Sequence, residues 1–170
     1  LFSNRRCRVQ FMRISIESLC EVNFEHYVLY DITLCLNVKA SLKDIAALND
    51  PNIRDKITKL EIKRDQNPAV MEVLFSLLSN TNSSVRSLNI IASNLSQWMD
   101  HIKQIGPCLR ELFIHDYFTK FPIIKSIFEY CPYLEKLIFN YGAGGSERNV
   151  LLQTIASHFS RLRSLTVSCS

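Results

Sequence analysis

An α/β solenoid, with parallel strands on a concave face and helices on a convex face, is the fold class this sequence predicts, and three observations predict it. The first is a spelling, apolar-x-x-apolar-x-apolar, that recurs from Leu29 to Leu34, Ile57 to Ile62, Val85 to Ile90, Leu109 to Ile114, Leu134 to Phe139 and Leu162 to Val167. The second is its period. The anchors Ile32, Leu60, Leu88, Leu112, Leu137 and Leu165 step by 28, 28, 24, 25 and 28 residues, the length of one strand plus one helix. The third is helical apolar spacing, with start and stop signals, in the intervals. Parallel strands need such a crossover, and identical units bury their apolar faces only by stacking side by side.

Taken in order, residues 1–28 carry no clean period and read as an N-terminal cap or the tail of a preceding domain, although Arg13-Ile14-Ser15-Ile16 has the spacing of a short strand. Residues 29–170 read as about five to six irregular units, cut at both ends. Ile32, Leu34, Leu36 and Val38 alternate as a strand; Leu42, Ile45, Ala46 and Leu48 predict a short helix that Asn49-Asp50-Pro51 breaks. Asn67-Pro68 is a helix start, a capping side chain followed by a proline where no amide hydrogen is missed. Val70, Val73, Leu74, Leu77 and Leu78 then share a face. Leu95, Trp98, Met99, Ile102 and Ile105 form the next helix, ended by Gly106-Pro107. Phe121, Ile124, Ile127 and Phe128 form another, ended by Cys131-Pro132, and Val150, Leu151, Ile155 and Phe159 the last, entered from Ser146.

Composition excludes several classes. A hydrophobic content of 47% in 170 residues supports a sizeable core. No apolar run reaches the roughly 18 residues of a membrane span, so no membrane partner is expected. The net charge of +4 owes much to Arg5, Arg6, Arg8 and Arg13, while other charges alternate in sign, as in Lys59-Glu61-Lys63, so no nucleic-acid stripe is read. Six cysteines form no C-x-x-C pair, and no metal site is expected. Cys108 and Cys131, each just ahead of a strand, are expected as reduced, buried core residues, which points to the cytoplasm or nucleus. The sequons Asn82-Ser83-Ser84 and Asn94-Leu95-Ser96 would matter only in a secreted protein.

The pattern resembles the leucine-rich repeat, with its ribonuclease-inhibitor-like arc. Cys131-Pro132-Tyr133-Leu134-Glu135-Lys136-Leu137-Ile138-Phe139 resembles the turn-to-strand segment of F-box leucine-rich-repeat proteins, and Ile105-Gly106-Pro107-Cys108-Leu109-Arg110-Glu111-Leu112 is a permuted echo of it. The resemblance implies the substrate-recognition part of a cullin ubiquitin ligase, joined to a Skp-type adaptor and cullin by an F-box preceding Leu1. Ubiquitin transfer would then belong to other subunits. The usual repeat places Asn or Cys three residues after the last apolar strand position; here stand Asn37, Asp65, Ser93, Tyr117, Gly142 and Ser170, of which only the first fits.

No catalytic residue is expected. His115-Asp116 is the best pair, yet adjacent residues on an extended segment point to opposite sides, and no G-x-S-x-G or H-E-x-x-H accompanies His101 or His158. Gly142-Ala143-Gly144-Gly145-Ser146 stands where backbone amides could cradle phosphate, which leaves nucleotide or small-ligand binding as a lesser alternative, but it lacks the G-x-G-x-x-G spacing and a following Lys-Ser/Thr, so no cofactor is expected. The concave face carries the functional expectation. Residues between the anchors alternate outward, so Ile91, Phe113 and Ile138 would form an exposed apolar group, with Lys63, Glu111, His115, Lys136 and Asn140 beside it. An apolar centre with a polar rim is the anatomy of a protein-recognition surface. A cytosolic scaffold or inhibitor unrelated to ubiquitin is the alternative use of such a face.

Overall fold

The computed structural model describes residues 10–21, 30–36, 40–63, 66–79, 84–91, 95–115, 121–140, 145–158 and 160–168. Seven strands form one parallel sheet in chain order: β1 (Gln10–Ser15), β2 (Tyr30–Leu36), β3 (Ile57–Ile62), β4 (Ser87–Ile91), β5 (Glu111–His115), β6 (Lys136–Asn140) and β7 (Ser164–Ser168). Helical segments fall between strands: α1 (Pro51–Arg54), α2 (Pro68–Leu78), α3 (Met99–Ile105), α4 (Phe121–Tyr130) and α5 (Gly145–His158). The chain is therefore α/β, and consecutive helices α2 to α5 pack each on the next.

The recurring spelling is the core. In the units of β3 to β6 all three apolar positions are buried: Ile57, Leu60, Ile62; Val85, Leu88, Ile90; Leu109, Leu112, Ile114; Leu134, Leu137, Phe139. They join the buried helix residues in one continuous cluster. The strands place Leu60, Leu88, Leu112, Leu137 and Leu165 opposite one another in register, as the anchors require. Backbone hydrogen bonds extend this alignment one residue upstream. Arg110 N donates to Arg86 O (2.7 Å), Glu135 N to Arg110 O (2.7 Å) and Arg163 N to Glu135 O (2.8 Å).

The first anchor is not Ile32. Ile32 lies opposite Ile57 and, past the extra residue Thr58, Leu34 lies opposite Leu60, two residues beyond the expected Ile32. Ile32, Leu34 and Leu36 all face the core, so a shift of two residues leaves the buried face unchanged. The illegible start of the chain also contributes: β1 pairs in parallel with β2 through Ser15, and Ile16 opens a 3-10 helix instead of continuing the strand.

The helices follow their signals with corrections of phase. Asn67 caps α2, its Oδ1 accepting from Ala69 N at 2.9 Å, with Pro68 in the first turn. The buried face of α2 is Val70, Met71, Leu74, Phe75 and Leu78, while Val73 is exposed and Leu77 half-buried. Phe75 is the bulkiest of these side chains, and its contacts with Trp98 and His101 turn that face inward. Asn49-Asp50-Pro51 breaks the preceding helical turn as expected, Asp50 being extended, and the same Asp50-Pro51 opens a new one. Asp50 accepts from Asn52 N at 2.9 Å, and α1 follows. The expected helix before it is only a 3-10 turn, Ala46–Asn49, with Leu48 and the preceding Ile45 buried, while Leu42, outside it, is 55% exposed. In α5, Leu151 and Ile155 take the core positions and Val150 is exposed; Phe159 lies outside the described residues.

Cys131 is fully buried, as expected, but Cys108 is only half-buried. Aligning Leu109 with Leu134 puts Gly106, not Cys108, in the slot of Cys131, and Cys108 in that of the exposed Tyr133. Burial pushes the Cys131 thiol up to about 12, so it stays a neutral, inert core group. All six turn positions from Asn37 to Ser170, along with Val38, lie outside the described residues.

Candidate functional site

Strand alternation sends one set of side chains into the core and the other onto the opposite face of the sheet, where the register collects them into rows. One row runs Arg13, Thr33, Lys59, Ser87, Glu111, Lys136, Ser164. The next runs Ser15, Cys35, Glu61, Asn89, Phe113, Ile138, Thr166. A third is set by the pairs Ile91 with His115 and Asn140 with Ser168. Lys63 follows β3, its amide donating to Leu36 O at 3.1 Å, and its side chain is exposed.

The expected apolar group is therefore split. Phe113 and Ile138 are direct cross-strand neighbours, both half-buried, whereas Ile91, 39% exposed, lies opposite His115 in the adjoining row and on a diagonal to Phe113. Cations bracket the aromatic ring: Lys136 Nζ stands 5.1 Å and Lys59 Nζ 5.7 Å from the Phe113 centroid, near enough for attraction to the ring face. Lys136 comes from the neighbouring strand and Lys59 from two strands away, so the sheet itself sets this spacing.

The carboxylates of the two rows that cross the sheet are engaged within it. Glu111 accepts from Ser87 Oγ at 3.0 Å. Glu61, nearly buried, is paired with Arg13 and, at 3.2 Å, with Lys59 Nζ. Arg13 Nε also reaches Cys35 Sγ at 3.0 Å, and these side chains roof the thiol so that it is buried on the outward side of the sheet. Burial raises the Cys35 pKa, against the lowering effect of the Arg13 hydrogen bond, so the thiol is held protonated. Sequence reasoning left Arg13 and Lys59 out of the site. Lys59 was legible, since it precedes its anchor as Glu111 and Lys136 precede theirs; Arg13 was hidden in the aperiodic start.

The three histidines among the described residues do not converge. His115 is half-buried at the end of β5, and Asp116 lies outside the described residues. His158 ends α5, its Nδ1 2.9 Å from Thr154 O. His101 belongs to the helical layer, stacked on Phe75 with centroids 4.9 Å apart. Burial lowers its pKa, opposed by Asp100 and Glu72, and its Nδ1, like Trp98 Nε1, is buried with no hydrogen-bond partner among the described residues. A cavity of about 40 Å³ lies beside it, lined by Gln66, Pro68, Met71, Gln97 and Trp98. That is room for a water molecule and not for a nucleotide.

Among the described residues no three His, Cys, Asp or Glu side chains form a metal-binding group, and no helix is long and apolar enough to cross a membrane. The segment Gly142 to Gly144 lies outside the described residues; α5 begins at Gly145, one residue before the expected entry at Ser146. What the open sheet face offers chemically is shape, an apolar centre and ammonium groups. Compared with protein-family models, with curated proteins and with solved structures, the chain matches none.

Proposed function

We propose that this chain is a leucine-rich-repeat solenoid, curved with its strands on the concave side, that recognises another protein through that face and catalyses nothing itself. On the F-box resemblance, the reading extends to the substrate-recognition part of a cullin ubiquitin ligase. It would be held by a Skp-type adaptor and would act in the cytoplasm or nucleus. What supports the architecture is the order and register of the strands, since equivalent positions of successive units lie opposite one another. The observation that carries recognition is the Phe113–Ile138 pair on the open face, with polar side chains around it. A side chain already half-buried before any partner arrives costs little further entropy to dock, and the apolar area it still exposes is gained on binding.

Two experiments test the parts separately. For the ligase reading, the full-length protein is precipitated from its own cells and probed for a Skp-type adaptor and cullin. Recovery of both supports it, and recovery of neither, with other proteins retained, leaves a scaffold or inhibitor. For the face, Phe113→Asp and Ile138→Asp should keep the melting temperature while abolishing capture of whatever the wild type retains. Unaltered capture by both variants sinks the assignment.

A further inference from the structure

Resting on that recognition reading, we infer that the partner presents an acidic segment carrying an apolar side chain, with the apolar group seated on Phe113 and Ile138 and its carboxylates meeting Lys136 and Lys59. The argument is one of unequal engagement. The two rows that cross the sheet hold three cations, Arg13, Lys59 and Lys136, against two anions, Glu61 and Glu111. Both anions are turned to partners within the face: Glu61 to Arg13 and Lys59, Glu111 to the Ser87 hydroxyl. Glu61 is shared between Arg13 and Lys59, and Lys136 stands over the Phe113 ring, which attracts an ammonium without neutralising it, so the two rows keep one positive charge in excess. Lys63 adds a further exposed cation at the end of β3.

A partner of the same sign would have to desolvate these ammonium groups without compensation, whereas a carboxylate gains a charge-assisted hydrogen bond beside an apolar contact. A nucleic acid fits the face less well. Three cations in two rows, two of them paired with Glu61, make too short a track for a phosphate backbone, and Phe113 is the lone aromatic side chain of the two rows.

The test is a selection of the whole chain against a random-peptide phage library, followed by affinity measurements on the enriched peptides. The expected result is enrichment of Asp or Glu beside Leu, Ile or Phe, with affinity falling as sodium chloride is added. Lys136→Gln and Lys59→Gln should each weaken binding by about fivefold, the upper end for one partly exposed ion pair. The salt titration uses the wild type, so it stands whatever the variants do to folding. Enriched peptides with no acidic excess, still lost in Phe113→Asp, would overturn the acidic partner and leave the recognition face intact. No enrichment, or enrichment indifferent to Phe113→Asp, overturns both. Capture of a random single-stranded RNA pool that depends on Lys59 and Lys136 overturns the proposal in favour of nucleic acid.

Discussion

Protonation of His101 works against the fold. The ring is stacked on Phe75 in the helical layer, and burial lowers its pKa below the ordinary 6.5 despite Asp100 and Glu72 nearby. Above pH 6.5 folded and unfolded chains both hold it neutral, and its contribution is fully present. As pH falls through that value the unfolded chain takes a proton the folded chain resists, so stability is lost toward acid. His101→Phe should therefore flatten the fall in melting temperature between about pH 7 and pH 5, and at neutral pH cost little, since the imidazole Nδ1 has no partner to lose among the described residues. An unchanged acid slope in thermal melts would remove His101 from the account. Gly106 makes the opposite kind of prediction. A Cβ there would fall inside contact distance of the Tyr130 carbonyl oxygen, with the carbonyl carbon at 2.9 Å and Cys131 Sγ at 3.1 Å. Backbone cannot yield as a flexible side chain does, so Gly106→Ala should cost about 1–3 kcal/mol in urea unfolding.

Among the elements, α2 shows both what local chemistry decides and what it leaves to packing. Its start is local: the Asn67 carbonyl oxygen satisfies an amide that the first turn leaves without a partner. Asn67→Ala should cost about 1 kcal/mol, and Asn67→Asp, which keeps the acceptor, should restore most of it in the same denaturation assay. The phase of α2 is not local. Ala69, Val70, Met71, Val73, Leu74, Phe75, Leu77 and Leu78 make the helix apolar most of the way round, so periodicity leaves two overlapping faces open. Contacts of Phe75 with Trp98 and His101, one unit further along, select the face that buries Met71 and Phe75 and exposes Val73. Strands were easier to read because a period of two admits one buried face only. The same property hid the β2 register, where a displacement of two residues, Leu34 for Ile32 opposite Leu60, moves the pairing without changing which side chains are buried. On the open face the rows were legible from alternation alone. The place of Ile91 was not, because it depends on which residue of β5 stands opposite it.

Across the whole molecule, equal sequence does not mean equal burial. Leu137 and Leu165 hold the same position in their units and pair with each other across β6 and β7, yet Leu137 is 1% exposed and Leu165 37%. Leu162 and Val167 are likewise only partly buried, where their counterparts Leu134 and Phe139 are buried. The reason lies in stacking. A unit's apolar positions are closed off by the units on both sides, and β7 has a strand neighbour on one side only among the described residues. The energetic cost of truncation should follow this gradient. Leu112→Ala and Leu137→Ala, each opening a cavity in a closed layer, should cost about 2–5 kcal/mol. Leu165→Ala removes area already more than a third in water and should cost less, about 1–2 kcal/mol. Native-state hydrogen exchange should show the same order, with β7 amides exchanging through local opening and those of β4 and β5 only near global unfolding. Equal costs at Leu137 and Leu165, with equal protection of β6 and β7, would mean that the sheet unfolds as one cooperative block and that the lesser burial of the β7 unit does not set its stability.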